Sequence, residues 1–347
     1  MSILPAIILS FAFNAEAQTS LLSKYSNSSI FSGIEVGAKG VKISVIESGK
    51  NAQTSGSINI VKDSSVNTDF ISFTPSAFSA TLNALTGLFN TALREYKIPS
   101  RRIYTVISSG VKMQAEKDIK SDWIIRLIDS FRIKIDEPSR KVEVVDVTKE
   151  AFLSHLGIVP ESRRFSTFLI DIGSGNTKGG FFPFGKLDYF KLFQLNWGTK
   201  STANATEKKL ETDNTLDNYN RQLARVLAIA ENTEIIYAVN SSGSYPLSDN
   251  IAVSGGIAWA VATLLHPELI DNSVVPVTYP EMEMFIQKLF TRYSTLSPSV
   301  LAQSVNTSAE KEMVIKEATR VQKVFDQKSM MAGAGLLLKI MRQFASV

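Results

Sequence analysis

A four-residue pattern occurs twice along this chain. Ile34-Glu35-Val36-Gly37 matches Ile170-Asp171-Ile172-Gly173, and Lys42 falls where Lys178 falls, at one common offset. In both copies an acid closes an apolar run, a glycine turn follows, and alternating residues resume, which predicts two strands joined by a turn. Similar elements follow each copy, so the chain reads as an internal duplication of two halves. Its length of 347 residues agrees, because a single core rarely grows past about 250 residues.

In the first half, Gly33 to Glu47 predicts two strands around Gly37 to Gly40, and Ser57 to Val61 a third. Behind Pro75, apolar Phe78, Leu82, Leu85, Phe89 and Leu93 recur at helical spacing and predict a helix ending near Tyr96. A strand at Arg102 to Ser108, a helix around Trp123 to Phe131, a strand at Val142 to Val147 and a short helix capped by Thr148 complete it. A Gly-, Pro- and charge-rich linker lies near Gly157 to Arg164. The second half repeats the meander with strands at Thr167 to Asp171, Lys178 to Phe184 and Leu187 to Leu195. Helices at Asn204 to Leu210 and Thr215 to Ala230, and a strand at Glu234 to Val239, come next. Ile251 to Ser254 runs through Gly255-Gly256 into a helix, Ile257 to Leu265, and the last helix is Leu336 to Phe344.

Composition narrows the partners. A hydrophobic fraction of 44% with 20% charged residues describes an ordinary globular chain. The net charge is +4 and no Lys/Arg run exceeds two residues, so no nucleic-acid partner is expected. The absence of cysteine excludes a disulfide framework and a cysteine metal site, and His155 and His266 lack metal-ligand spacing. Residues Ile3 to Phe13 are almost wholly apolar and Ala15-Glu16-Ala17 precedes Gln18. That predicts either a signal peptide over residues 1–17, with export to a periplasm or the medium, or a buried N-terminal helix in a cytoplasmic protein. The apolar run is too short for a permanent membrane anchor, which needs about 20 residues.

An acid at a strand end beside a glycine turn sets a carboxylate next to a nest of backbone amides. Amides of this kind hold phosphate oxygens, and the carboxylate suits Mg²⁺. Ser254-Gly255-Gly256 ahead of a helix adds a third such place, where backbone N–H groups attract anions.

These segments resemble the actin-like ATPase superfamily, and within it the exopolyphosphatase and guanosine-pentaphosphate phosphohydrolase (Ppx/GppA) family, over nearly the whole chain after residue 30. Glu35-Val36-Gly37-Ala38-Lys39-Gly40 is similar to that family's first phosphate loop, and Asp171-Ile172-Gly173-Ser174-Gly175-Asn176-Thr177 to its second. Ser108-Ser109-Gly110-Val111-Lys112 resembles the segment where the family usually carries a phosphate-facing arginine. Lys149 to Leu153 with Leu156-Gly157 resembles the helix bearing the catalytic glutamate, which makes Glu150 the candidate base. Ser254-Gly255-Gly256 resembles the superfamily's adenosine loop and Ala332-Gly333-Ala334 the family's last helix. The resemblance implies an α/β fold of two duplicated actin-like (ribonuclease H-like) domains, with mixed five-stranded sheets flanked by helices and a cleft between. Domain I would take residues 30–157 and 331–347, and domain II residues 158–330.

By the same resemblance, Glu35 and Asp171 would hold Mg²⁺. Gly37, Ala38, Lys39, Lys112, Gly173, Ser174, Gly175, Asn176, Lys178, Ser254, Gly255 and Gly256 would contact phosphate. Three positions depart from the family: Lys178 stands where a catalytic glutamate is common, Lys39 where Asn is usual, and Glu35 is one methylene longer than Asp. The implied function is a Mg²⁺-dependent phosphoanhydride hydrolase that releases terminal phosphate from polyphosphate or pppGpp. One alternative is a catalytically impaired protein that binds phosphate or polyphosphate, and another is an acceptor-dependent phosphotransferase; the expected partner is polyphosphate or a guanosine polyphosphate. A homodimer stays open. Alternation leaves Lys178 facing either the cleft or solvent, and Glu150 either a base or an acid favoured by the helix dipole.

Overall fold

A computed structural model describes residues 23–38, 40–52, 58–243, 250–272 and 274–345. The N-terminal segment expected to be a signal peptide, and Lys39, lie outside these residues. The chain divides into two compact units, one reaching to Glu143 and the other running from Val144 onward, with residues 50–52 and 58 and Ser108–Gly110 grouped with the second. Among the described residues no helix is long and apolar enough to cross a membrane.

The first unit is built on strands β1 (Ser29–Gly37), β2 (Gly40–Ser48), β3 (Ile58–Asn67), β4 (Ile103–Ile107) and the two-residue β5 (Glu143–Val144), in the order β3-β2-β1-β4-β5. β1 pairs antiparallel with β2 and parallel with β4. Successive side chains of a strand face opposite sides. Ile34 and Val36 therefore enter the core with Val41, Ile43 and Val45 while Glu35 faces the other way. Helix α1 (Pro75–Asn90) covers that core with Leu82, Leu85 and Phe89; Thr74 caps it, its side chain accepting from the amide of Ala77. A helix α2 (Ser109–Lys117), not anticipated from the sequence, precedes α3 (Ser121–Lys134). The strand expected at Val142 to Val147 shrinks to β5, because Asp146 begins the next helix. That helix, α4 (Val147–Ile158), is capped by the Asp146 carboxylate, which accepts from the amide of Lys149; Thr148 is not the cap.

The second unit repeats the meander as β6 (Thr167–Ile172), β7 (Thr177–Phe181) and β8 (Lys191–Leu195), with β9 (Asn250–Ser254) parallel beside β6, in the order β8-β7-β6-β9. The second sheet thus has four strands, each matching one of the first four by position, and the duplication read from the sequence holds at the level of topology. The fifth strand expected at Glu234 to Val239 is helical. The chain continues from α5 (Thr199–Glu207) and α6 (Leu216–Ala230) through a π-helical turn, Glu231–Ile235, into α7 (Ile236–Ser242). Ile235 and Val239, four residues apart, are buried while Tyr237 is exposed; that spacing suits a helix, and Gly243 ends it in the left-handed region.

Helices α8 (Gly256–Leu265), α9 (Tyr279–Thr291), α10 (Ser308–Val324) and α11 (Gln327–Ala345) complete this unit. The last helix begins well before Leu336. The family resemblance would give it to domain I, yet it packs on α5, α6, α8 and α9. Buried Glu231 draws it in, accepting from Lys339 Nζ at 2.8 Å, Arg342 at 2.5 Å and Gln343 Nε2 at 3.0 Å. α4 likewise lies on β7, so residues 147–158 belong structurally with the second unit.

His155 fastens α4. It is buried, its Nε2 lies 2.9 Å from the carbonyl of Thr167 at the start of β6, and its ring meets Phe182 and Phe190 edge-on. Burial and, to a lesser degree, Arg164 hold its pKa below the ordinary 6.5. The unfolded chain therefore binds a proton that the fold refuses, and stability declines as pH falls from 6.5 toward the folded value. The melting temperature of the protein is expected to drop over that interval, and less so in His155→Gln.

Gly333 sets the closeness of α11. A β-carbon there would lie 2.8 Å from Thr199 Cγ2 and 2.9 Å from Ile257 Cδ1, whereas one at Gly157 in α4 meets nothing within 4 Å. Urea unfolding should show Gly333→Val losing about 1–3 kcal/mol to overpacking. Gly157→Ala should gain up to about 1 kcal/mol of helix propensity.

Candidate phosphate site of the second unit

Residues directly opposite in paired strands share a face of the sheet. Asp171 on β6 opposes Lys178 on β7, Lys178 opposes Gln194 on β8, and Asp171 aligns with Ser254 on β9. Gln194, Lys178, Asp171 and Ser254 therefore form one polar row, at the end of the sheet where β6 turns into β7. Phe168, Ile170 and Ile172 alternate with them and supply the core. Ser254 Oγ donates to Asp171 Oδ1 at 3.0 Å and steadies that carboxylate.

Glu150, in the first turn of α4, reaches the same row. Its Oε1 accepts from Lys178 Nζ in a close ion pair, and its Oε2 accepts from the backbone N–H of Ser109 at 2.9 Å. The two side chains keep only 15% and 19% of their exposure, so Lys178 points neither to solvent nor to an open space beside a free base. Burial by itself would raise the pKa of Glu150. The charge of Lys178, with hydrogen bonds from Lys178 and Ser109, outweighs burial and holds the carboxyl below the usual range. The expected base is thus ionised but occupied, a weak proton acceptor while Lys178 stays in place.

The loop that leaves β6 is held by the next helix. The carbonyl of Gly173 accepts from the N–H of Thr199 at 3.0 Å, and that of Ser174 from Lys200 at 2.7 Å and Ser201 at 3.1 Å. Across a planar trans peptide, a carbonyl and the following N–H point in opposite directions. With both carbonyls turned to the start of α5, the N–H groups of Ser174 and Gly175 point away from it, on residues that are exposed. Two adjacent outward amides of this kind are donors of the sort that suit an anion. Gly173 and Asn176 close the turn beneath them, the N–H of Gly173 donating to the carbonyl of Asn176 at 2.9 Å. Gly198 permits the seating: a β-carbon there would fall 2.6 Å from both Asn176 N and Gly173 O. Trp197-Gly198, directly after a strand, is the sequence sign of this seating, whereas nothing local in Ser108 to Lys112 marks the Ser109 amide.

Gly255 has φ of 96°, and a β-carbon there would approach Ile172 O to 2.2 Å and Asp171 Oδ1 to 3.0 Å. Gly256 opens α8 directly after it. Ser254, Gly255 and Asp171 are thereby brought together.

The corresponding row of the first unit is plainer. Glu35 opposes exposed Lys42 and aligns with Val106, which has no hydroxyl to offer. Glu35 Oε1 lies 3.5 Å from the place a β-carbon on Gly37 would take, so the carboxylate folds over its own turn, which Ala38 continues. Lys112, on α2, pairs with Glu116 of the same helix at 3.8 Å.

Within the second unit, the carboxylates as they are paired do not fit a Mg²⁺ site. Among the described residues no group of three or more His, Asp or Glu side chains gathers around one point. In the second unit Glu150 is neutralised by an ammonium, which leaves Asp171 with its Ser254 hydrogen bond as the one acid of the row. His266 holds no such place either, its Nδ1 lying 3.0 Å from Glu268.

Gly255→Ala should both strain the backbone and push β9 from β6. A loss of about 2–4 kcal/mol is expected in urea unfolding, with weakened protection of the Ser254 amide in hydrogen exchange.

No family model matches the chain, and no curated protein does. Solved structures do. The type II variant of the Aquifex aeolicus Ppx/GppA phosphatase is 16% identical, with a TM-score of 0.59 over 91% of this chain and 92% of that one. A second structure of the Aquifex aeolicus Ppx/GppA family member gives 16% identity and 0.56 over 92% and 91%. A protein described as exopolyphosphatase-like gives 15% and 0.56 over 92% and 90%. The two matching sheets, their shared strand order and these similarities together establish that the chain has the actin-like fold of the Ppx/GppA phosphatase structures.

Proposed function

We propose that this protein binds phosphate chains, polyphosphate or a guanosine polyphosphate, at the Gly173–Asn176 loop, and that its hydrolytic base is masked at rest. The observation that carries the reading is the ion pair between Lys178 and Glu150. Hydrolysis of a terminal phosphoanhydride needs a group to orient and deprotonate water. Glu150 offers one oxygen to an ammonium and the other to an amide, so its charge is offset and its orientation fixed, which weakens it as an acceptor of a proton from water. The outward amides of Ser174 and Gly175, with Lys178 in the adjoining row, supply donors and charge for phosphate oxygens.

A second reading is the Mg²⁺-dependent hydrolase that releases terminal phosphate. The fold of the Ppx/GppA phosphatases supports it, as does the retention of Glu150. Its demand is that Lys178 leave Glu150 during turnover.

Purified protein given inorganic tripolyphosphate and Mg²⁺ over a range of pH separates the two. The expected result is measurable binding with phosphate release no greater than in the protein-free control. Lys178→Glu should gain release, because two facing carboxylates push one pKa upward and provide a base nearer neutrality. Release by the wild type that depends on Mg²⁺ would replace the masked-base reading by the hydrolase; neither binding nor release would sink both.

A further inference from the structure

Lys178 adjoins both acids of this site. It is ion-paired to Glu150 on one side and cross-strand neighbour to Asp171 on the other. We propose that this unit takes phosphate chains without a divalent metal, the ammonium of Lys178 serving as the built-in cation that bridges carboxylate and phosphate. The inference rests on the phosphate-binding reading above and adds to it the charge state of the ligand: a free polyanion rather than its magnesium complex.

Three observations support it. A lysine ammonium carries three N–H donors, and Glu150 Oε1 takes one of them, leaving others for oxygens of a ligand. Mg²⁺ requires near-octahedral oxygen ligands at about 2.0–2.1 Å. Beside Glu150 it would have to displace an ammonium already held there, borne by the residue that pairs across the strands with Asp171. The outward N–H groups of Ser174 and Gly175, on the loop that joins Asp171 to Lys178, meet an anion directly and need no metal to do so. The ammonium offsets the two carboxylates that would otherwise repel a phosphate from these amides.

Isothermal titration of the full chain with sodium tripolyphosphate, once in EDTA and once in magnesium chloride, tests this. Wild type should bind at least as tightly in EDTA, since magnesium lowers the charge of the chain that Lys178 attracts. Lys178→Ala should lose roughly tenfold or more in EDTA, the worth of one charge-assisted contact, and Lys178→Arg should keep most of its binding. Glu150→Gln should bind more tightly in EDTA, because Lys178 is then no longer shared; a pair with a purely structural role would not produce that gain. Circular dichroism of each variant confirms that it is folded. Wild-type binding seen only with magnesium, or Lys178→Ala unchanged in EDTA, overturns the metal-free proposal alone. No binding in either buffer overturns the phosphate-binding reading on which it rests.

Discussion

Hydrogen-bond register in the second sheet decides which side chains can act together. Once β6, β7, β8 and β9 pair as they do, Asp171, Lys178, Gln194 and Ser254 must lie in a row, and Ile170 and Ile172 must face the core. A slip of one residue would exchange the two faces, burying the carboxylate and exposing the isoleucines. Burial of those apolar residues therefore enforces the polar row, and packing supplies the positional precision on which the site depends. Helix α4 then brings Glu150 to the row, held from behind by His155 against the backbone of β6 and by an aromatic group that includes Phe152, Phe182 and Phe190.

The ion pair that results is coupled to both structure and chemistry. Glu150 loses hydration on folding, and Lys178 is the cation that makes its charge tolerable there. Removing one member of a fully buried pair costs about 3–5 kcal/mol, and the partial exposure of this one reduces that figure. The same attraction weakens the carboxylate as an acceptor of a proton from water. A lysine at this position therefore stabilises α4 against β7 while lowering the basicity of Glu150, so a tighter pair makes a weaker proton acceptor.

The duplication shows how similar frames come to hold different sites. Each unit turns an acid away from its core at the end of its first strand and sets a lysine opposite. In the first unit that lysine is exposed and the neighbouring strand offers Val106; in the second the lysine meets Glu150 and the neighbour is Ser254. The strands around Glu35 and Asp171, helix α1 and the strand-to-helix passage at Ser254–Gly256 were legible because alternation, helical spacing and glycine turns are local signals. The helix at 236–242 was not, since Ile235 to Val239 is rich in β-branched residues and its helical phase appears only once Ile235 and Val239 share a core. Helix α2 has few apolar residues and a weak periodic signal, and it escaped for that reason.

The sequence by itself determined the two acids, their glycine turns and the lysine at 178, and hence the duplicated frame. These are properties of short stretches, set by backbone preference and side-chain chemistry. Only the tertiary structure decided that Lys178 closes on Glu150, that the Ser109 amide takes the other oxygen, and that the carbonyls of Gly173 and Ser174 turn inward so their following amides face out. Each of these joins segments far apart in the chain, and their contact depends on packing, which no local pattern encodes.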